Sequence, residues 1–292
     1  MKEVGFVGLG VMGGAMALHL HEKGQKVTVW NRSPEKRQPL AEKGVPIANS
    51  LADLGARCEI ICLCVNKTED VLACLEELTA EAKPGTLFID HSTILPSAAE
   101  EIHKSLQSRG FRFIDAPITG GSMGAQKGTL TIFCGGEASD IEEAGPVLAC
   151  YAKTAQRVGG PGDGQRMKAA NQIAVGGALL ALCEALNFAA KSGLDLAQTR
   201  TLLGSGAAGS WAFENYGPKI LNQDWSPGFS IDNQVKDFLY CEETASQIGA
   251  AIPGTMLVCD LLMQLQAEGK GALTTAALFD LMQRMDFPEQ GD

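Results

Sequence analysis

The sequence predicts an α/β domain with a doubly wound parallel sheet, an all-α domain after it, and one long helix joining the two. Three observations lead to this prediction. Short β-rich runs alternate with helical segments in the first half, strand signals fade past residue 160, and a long apolar segment separates the halves. We set the domains at 1–162, 163–192 for the joining helix, and 193–292.

The strand candidates are short, rich in β-branched or aromatic residues, and bounded by glycine or polar residues. They are Val4–Val7, Lys26–Trp30, Glu59–Val65, Thr86–Asp90, Arg112–Asp115 and Gly128–Cys134. The helix candidates between them are Met12–Lys23, Pro34–Lys43, Thr68–Glu81 and Leu95–Arg109. This alternation is typical of a parallel sheet covered by helices on both faces.

The joining segment, from Asp163 to about Ser192, is rich in Ala and Leu and apolar nearly all round. We predict a helix of about 45 Å that is buried on most sides. Helical patterns then continue to about Met285. Because a helix without a polar face needs packing partners beyond its own domain, we expect a homo-oligomer, whose number of subunits this pattern does not give.

Composition excludes several classes of protein. The 292 residues carry 24 Lys+Arg against 34 Asp+Glu, a net charge of −10, so nucleic acid and anionic membranes are poor partners. Nine cysteines without a Cys-x-x-Cys pair, together with four histidines, argue against a disulfide scaffold and against a metal site. The early glycines break any signal-peptide helix, and no run of about 18 apolar residues is present. We therefore expect a soluble cytoplasmic protein.

The glycine-rich segment Gly8-Leu9-Gly10-Val11-Met12-Gly13 lies between a predicted strand and a predicted helix. In that context G-x-G-x-x-G indicates a Rossmann-type dinucleotide-binding domain. Gly8 permits the tight turn, Gly10 lets the backbone approach a pyrophosphate, and Gly13 lets the helix pack closely on the strand. The helix N–H groups then bind phosphate oxygens. The alternative is a glycine-rich turn that binds no ligand.

The second predicted strand is followed by Asn31-Arg32-Ser33, where an NAD-binding domain usually has an acidic residue for the ribose hydroxyls. Without that carboxylate, a 2′-phosphate meets no repulsion, and Arg32 supplies a planar set of donors for it. We therefore predict NADP rather than NAD. Arg32 as an ordinary surface charge is the alternative.

A candidate catalytic group lies near the start of the long helix. Lys168, Asn171 and Gln172 share one helix face, and a lysine whose stem lies in an apolar cleft is partly desolvated and suited to proton transfer. The small residues of Asp115–Ser122 expose backbone N–H groups that can hold a carboxylate, with the Thr119 hydroxyl beside them. Considered separately, the first is also compatible with a solvated surface lysine and the second with a loop leaving the sheet.

Taken together, these segments resemble the β-hydroxyacid dehydrogenases, and the resemblance covers nearly the whole chain. The matching segments are Gly8–Gly13 with Met16-Ala17, Asp90-His91-Ser92-Thr93, Asp115–Gly121, Gly128-Thr129-Leu130, Lys168–Gln172 and Lys236-Asp237. The family includes 3-hydroxyisobutyrate dehydrogenase, tartronate semialdehyde reductase, glyoxylate/succinic semialdehyde reductase and, more distantly, 6-phosphogluconate dehydrogenase.

The resemblance implies a role for each matching residue. Lys168 corresponds to the family's catalytic lysine, with Asn171 or Gln172 beside it, and Thr119, Gly120 and Gly121 correspond to the loop for the substrate carboxylate. Thr93 corresponds to a residue near the nicotinamide ribose, and Val65 and Asn66 flank the cofactor. Lys236 corresponds to a lysine that closes over the cofactor, supported by Asp237, which we also assign to substrate binding.

The sequence departs from the family pattern at two positions. Thr119 stands where serine is usual, and Gln172 stands where many members have asparagine. Lys-x-x-Asn-Gln resembles the tartronate semialdehyde reductases, whereas Asn31-Arg32-Ser33 resembles the NADP-dependent glyoxylate/succinic semialdehyde reductases. The expected function is hydride transfer between NADP(H) and a small β-hydroxyacid or semialdehyde acid. The alternatives are an imine reductase on the same scaffold and a non-catalytic NADP-binding module.

Overall fold

The first half of the chain forms a single sheet in a computed structural model that describes residues 2–285. Its strands are β1 (Glu3–Val7), β2 (Lys26–Trp30), β3 (Ile60–Leu63), β4 (Leu87–Asp90), β5 (Arg112–Asp115), β6 (Ile118–Thr119), β7 (Leu130–Gly135) and β8 (Ala152–Gly159). The first five lie side by side in the order β2-β1-β3-β4-β5 and are all parallel, as predicted.

The remaining strands extend this parallel sheet differently from the prediction. Strand β7 runs antiparallel to β5 and β6, and β8 pairs parallel with β7. The connection from β6 to β7 begins at Gly120 and Gly121, whose φ angles of 125° and 64° are readily accessible to glycine, and it includes the helix Gly121–Lys127. The sheet is therefore parallel over β1–β5 and mixed at its β7 side, and strands β6 and β8 are not predicted from the sequence.

Helices cover the sheet of this first half. They are α1 (Val11–Glu22), α2 (Gln38–Ala41), α3 (Leu51–Arg57), α4 (Thr68–Thr79), α5 (Pro96–Ser108), α6 (Gly121–Lys127) and α7 (Ala138–Leu148), with a 3₁₀ turn at Pro34–Lys36. The helix predicted over Pro34–Lys43 is thus a 3₁₀ turn followed by the short α2. Helices α3, α6 and α7 were not predicted.

Both faces of the sheet are buried, which explains the nearly continuous apolar runs of its strands. Along β3, Ile60 and Cys62 join one hydrophobic cluster with residues of α1, while Ile61 and Leu63 join a second cluster with residues of α4 and α5. Successive side chains of a strand point to opposite faces, so each strand contributes to both clusters. Because strands β1–β5 are parallel, their carboxyl ends lie along the same edge of the sheet.

The second half of the chain is helical. It contains most of α8 (Asp163–Lys191), then α9 (Leu196–Ser205), α10 (Trp211–Asn215), α11 (Gly217–Leu221), α12 (Ile231–Ile248), α13 (Pro253–Ala267) and α14 (Leu278–Arg284), with a 3₁₀ turn at Thr275–Ala277. The chain divides into an N-terminal unit, Met1–Lys168, and a C-terminal unit, Ala169–Asp292, so α8 begins in one and continues into the other. The division into 1–162, 163–192 and 193–292 stays a prediction.

Helix α8 is less buried within the chain than its composition predicts. Its inward face packs in the core of the C-terminal unit, where a Cβ on Gly176 would lie 2.5 Å from the Phe238 ring. The opposite face is exposed. It carries four small residues, Ala170, Ala174, Gly177 and Ala181, followed by Glu184 and Phe188. A window of 18 residues within α8 has a mean hydropathy of 1.8, so the helix is also long and apolar enough to cross a membrane, a test that core helices of soluble proteins pass too.

Candidate active site

The glycine-rich turn follows β1 and has room for glycine alone at two of its positions. Gly8 has a φ of 93°, and a Cβ there would lie 2.2 Å from the carbonyl oxygen of Cys64. A Cβ on Gly13 would lie 1.9 Å from the carbonyl oxygen of Gly8. Beside Gly10, by contrast, no atom lies within 4 Å of the added Cβ, so this side of the turn is open.

Helix α1 begins at Val11, directly after Gly10. Gly10 is the N-cap and offers no side-chain hydrogen bond, and the first turn contains no acidic residue. Uncapped N–H groups and the positive end of the helix dipole suit a phosphate. The residues present therefore fit the pyrophosphate of a dinucleotide, which the N–H groups of Val11, Met12 and Gly13 would hold.

The segment after β2 is held against the glycine-rich turn. The Leu9 N–H donates to Asn31 Oδ1 at 2.8 Å, and Asn31 Nδ2 donates to the Ser33 carbonyl oxygen at 3.1 Å. Asn31 thus supports the shape of the turn. The exposed Arg32 is two residues past the end of the strand. Burial raises the pKa of the Cys74 thiol to about 11, and the positive charge of Arg32 acts in the opposite direction.

A residue that the sequence analysis did not assign also supports this segment. Arg37 donates from Nε to the carbonyl oxygen of Asn31, and its guanidinium lies 5.2 Å from the centre of the Trp30 ring. The positively charged guanidinium is attracted by the negative face of the aromatic ring. Arg37 therefore holds the loop that presents Arg32 and Ser33.

The ends of β3 and β4 are joined through Ser92. The Val65 N–H donates to Ser92 Oγ at 2.9 Å, and the Ser92 N–H donates to Asp90 Oδ1 at 2.9 Å. Since β3 and β4 are parallel neighbours, Val65, Asn66 and Thr93 all follow strands at the same edge of the sheet. The structure thus brings these three predicted cofactor residues to one edge, and the hydroxyl that connects them was not predicted.

His91 connects the same edge to the loop after β5. Its Nδ1 lies 2.7 Å from the carbonyl oxygen of Ala116, and its Nε2 lies 2.8 Å from the hydroxyl of Tyr151. Burial lowers the pKa of His91 to about 4 and raises that of Tyr151 well above its usual value. The imidazole is therefore neutral: Nδ1–H donates to the carbonyl, and the Tyr151 hydroxyl donates to Nε2.

Lys168 lies against the predicted substrate loop. It is 7% exposed, and its Nζ donates to the carbonyl oxygen of Ile118 at 2.9 Å. Thr119, Gly120 and Gly121 follow directly, where β6 ends and α6 begins. Two features that the sequence analysis identified separately, the lysine and the small-residue loop, are thus in contact within the N-terminal unit.

The C-terminal unit contains the other predicted residues, which are connected by two hydrogen bonds and one ion pair. Asn171 Nδ2 donates to Gln172 Oε1 at 2.9 Å, and Gln172 Nε2 donates to Asp237 Oδ2 at 2.7 Å. Lys236 Nζ lies 3.1 Å from Asp237 Oδ1 and 5.4 Å from the centre of the Tyr240 ring. Asp237, assigned above to substrate binding, therefore supports Gln172 and Lys236 through both carboxylate oxygens.

Two parts of the chain match models of known domain families. Residues 3–160 match the NAD binding domain of 6-phosphogluconate dehydrogenase, and residues 162–282 match the NAD-binding domain of NADP-dependent 3-hydroxyisobutyrate dehydrogenase. A protein of Arabidopsis thaliana named probable 3-hydroxyisobutyrate dehydrogenase-like 1, mitochondrial, is 35% identical over 288 residues. The match covers 97% of this chain and 86% of that protein.

Solved structures agree with these matches. The 3-hydroxyisobutyrate dehydrogenase of Mycobacterium tuberculosis with L-serine has a TM-score of 0.88 and 29% identity, covering 97% of this chain and 99% of its own. Psf3 in complex with NADP+ and 2-OPP has a TM-score of 0.89 and 26% identity, covering 96% and 99%. An imine reductase from Pseudomonas sp. is 22% identical, at a TM-score of 0.65 over 96% and 99% of the two chains, and shares the fold alone. The chain belongs to the β-hydroxyacid dehydrogenase family and is an oxidoreductase with a nicotinamide cofactor.

Proposed function

We propose that this protein transfers hydride between NADP(H) and a small β-hydroxyacid or semialdehyde acid, with Lys168 as the proton donor and acceptor. The contact between Lys168 Nζ and the Ile118 carbonyl carries the proposal, because it brings a buried ammonium group beside the loop of Thr119, Gly120 and Gly121. That loop combines a hydroxyl with small residues whose N–H groups suit a carboxylate.

The choice of NADP rests on the residues after β2. Asn31 has taken the place of the usual acidic residue, and its amide is used to support the glycine-rich turn. Arg32 is exposed beside it, and Ser33 contributes a hydroxyl. A guanidinium binds a 2′-phosphate with charge-assisted hydrogen bonds, whereas a carboxylate at this position would repel the phosphate. Psf3, a structural relative, holds NADP+.

When bound, the nicotinamide supplies or accepts the hydride. The protein's own residues fix the substrate carboxylate at Thr119–Gly121, which holds the reacting carbon at a set distance from Lys168. Lys168 gives a proton to the oxygen as it gains charge, and takes one back in the reverse direction. An amide of Asn171 or Gln172, one turn further along α8, orients that oxygen.

The substrate we propose is a small acid whose carbonyl or hydroxyl lies one carbon beyond the α-carbon. The 3-hydroxyisobutyrate dehydrogenase of Mycobacterium tuberculosis and the Arabidopsis protein named probable 3-hydroxyisobutyrate dehydrogenase-like 1 support this class. Glyoxylate is a shorter candidate. The extra methyl group of Thr119, compared with serine, narrows the loop and favours the less bulky acids of the class.

The test is steady-state kinetics with succinic semialdehyde, tartronate semialdehyde, methylmalonate semialdehyde and glyoxylate, each with NADPH and with NADH. We expect turnover of at least one of these acids and a higher kcat/KM with NADPH. Tight NADPH binding without turnover of any of them would instead favour a non-catalytic module. Reduction of cyclic imines in preference to the acids would favour the imine reductase alternative.

We also propose a homodimer or homotetramer that covers the exposed face of α8. This face carries Ala170, Ala174, Gly177, Ala181, Glu184 and Phe188, and close approach of another helix is easiest over its small side chains. Light scattering coupled to gel filtration gives the mass directly. Ala174→Glu introduces a charge on this face and is expected to lower that mass, whereas a monomeric wild type would contradict the proposal.

A further inference from the structure

The side chain of Gln165 links the start of α8 to the loop after β4. It is 1% exposed, its Nε2 donates to the Ser92 carbonyl oxygen at 2.8 Å, and its Oε1 accepts from the Ile94 N–H at 3.2 Å. A carbonyl only accepts and an N–H only donates, so these two partners fix the orientation of the amide. The amide thus binds the backbone on both sides of Thr93.

Asp115 holds the same turn of the helix from the end of β5. Its two carboxylate oxygens accept from the N–H groups of Gly162 and Gln165, each at 2.9 Å. A Cβ on Gly135 or Gly164 would lie 2.5 Å or 2.7 Å from these oxygens, so the carboxylate is tightly enclosed. Two hydrogen bonds to one carboxylate leave the first turn of α8 little freedom to rotate or slide.

Lys168 lies on the next turn, three residues after Gln165, and reaches the carbonyl oxygen of Ile118. Ser92, which Gln165 holds, also accepts from the Val65 N–H. The ends of β3, β4 and β5 are therefore each connected, directly or through one residue, to the helical turn that precedes the lysine. All of these contacts lie within the N-terminal unit.

We propose that Gln165 is a positioning residue that sets the distance between Lys168 and the loop containing Thr93. The inference rests on the proposed function, in which that loop lies on the nicotinamide side and Lys168 transfers the proton. A misplacement of about 1 Å between reacting groups can cost on the order of 100-fold in rate. Loss of the amide therefore slows the chemical step while the glycine-rich turn still binds the cofactor.

The main variant is Gln165→Leu, which keeps the approximate volume and removes both hydrogen bonds. The matched control is Thr79→Val on α4, since the Thr79 hydroxyl is also buried and hydrogen-bonded, to the Leu75 carbonyl and to Arg109, within the same unit. The measurements are kcat per NADPH-binding site, the Kd of NADPH, the thermal midpoint, and the isotope effect with NADPH deuterated at the transferred position.

For Gln165→Leu we expect kcat to fall about 10- to 100-fold, NADPH Kd to change less than 3-fold, and the isotope effect to be at least as large as in the wild type. Thr79→Val, with a comparable drop in thermal midpoint, is expected to keep kcat within 2-fold. Equal kcat values for the two variants would overturn the positioning role, since general destabilisation would then account for any loss.

A second variant, Gln165→Glu, keeps the proposal testable if the leucine variant does not fold. The introduced carboxylate would face the Ser92 carbonyl oxygen without a hydrogen to donate, whereas its protonated form restores both hydrogen bonds. We expect the ratio of its kcat to that of the wild type to rise at least 5-fold from pH 8 to pH 5.5. A ratio that does not change with pH would count against the proposal.

The activity of the wild type distinguishes failure of the proposed function from failure of the positioning role of Gln165. A wild type that binds NADPH and turns over none of the four acids overturns the proposed function, and the positioning role with it. An active wild type with unaltered kcat in both Gln165 variants overturns the positioning role alone.

Discussion

Gln172 Nε2 lies 2.7 Å from Asp237 Oδ2, and this contact decides how the amide is oriented. The carboxylate only accepts, so the nitrogen faces Asp237 and the oxygen faces Asn171 Nδ2, at 2.9 Å. Both ends of the Gln172 amide are thus used within the protein. Asn171 contributes one N–H to this chain, which makes it the better candidate for contact with the substrate oxygen.

Asn171→Ala is expected to lower kcat/KM about 10- to 100-fold, because a hydrogen bond to an oxygen that gains charge is worth about 1.5–3 kcal/mol. Gln172→Met should act mainly on stability, costing about 1–3 kcal/mol, since it removes the hydrogen bond of a buried carboxylate. Steady-state kinetics and urea unfolding of both variants test this. A large loss of activity in Gln172→Met with normal activity in Asn171→Ala would reverse the assignment.

Lys168→Met removes the ammonium group and keeps a side chain of similar length. General acid catalysis contributes about 100- to 10,000-fold, so kcat should fall within that range while NADPH binding, followed by its fluorescence, is retained. Lys104→Met on the exposed face of α5 is the control and should leave kcat unchanged. Near-normal turnover by Lys168→Met would remove this lysine from the mechanism.

The parallel part of the fold was predictable because each strand is buried on both faces. Apolar runs such as Ile60–Leu63 stand out between polar segments, so the predicted bounds of these strands lie within one or two residues of the observed bounds. Strand β8 has the sequence Ala-Lys-Thr-Ala-Gln-Arg-Val-Gly and is mostly exposed, so no apolar pattern marks it. Helix α6 has two glycines in seven residues, which is not a helical pattern. The start of α3 is marked in the sequence only by Ser50, whose hydroxyl accepts from the Asp53 N–H.

The site was predictable through short segments but not through the contacts between them. Sequence spacing identified Lys168 and the Thr119–Gly121 loop, yet nothing in the spacing indicates that Lys168 bonds to Ile118, 50 positions away. Gln165 and Ser92 are 73 positions apart, and an isolated glutamine after a glycine-rich segment has no distinguishing pattern. Contacts of this kind depend on how the strands are ordered in the sheet.

Arg32→Ala tests the choice of cofactor. Removal of one guanidinium that binds a phosphate is expected to raise KM for NADPH about 10- to 100-fold and to leave KM for NADH within 2-fold. Lys36→Ala, a neighbouring exposed cation, serves as the control for the general effect of positive charge and should change the preference much less. An unchanged ratio of the two KM values in Arg32→Ala would show that the arginine does not select the cofactor.

His91 predicts a specific dependence of stability on pH. Burial lowers its folded pKa to about 4, whereas the unfolded residue titrates near 6.5, so the unfolded chain binds the extra proton between these values. The neutral, hydrogen-bonded imidazole thus contributes stability that is fully present above pH 6.5 and is lost as pH falls toward 4. The difference is about 3 kcal/mol.

Urea unfolding at several pH values between 7.5 and about 4.5 measures this contribution. The control is His91→Gln, which retains an N–H for the Ala116 carbonyl oxygen but does not titrate. The free energy of unfolding should fall more steeply toward acid in the wild type than in His91→Gln, because every other titrating group is common to both proteins. Parallel plots of unfolding free energy against pH would mean that His91 accepts its proton in the folded protein as readily as in the unfolded one. The assignment of a neutral imidazole that accepts a hydrogen bond from Tyr151 would then be wrong.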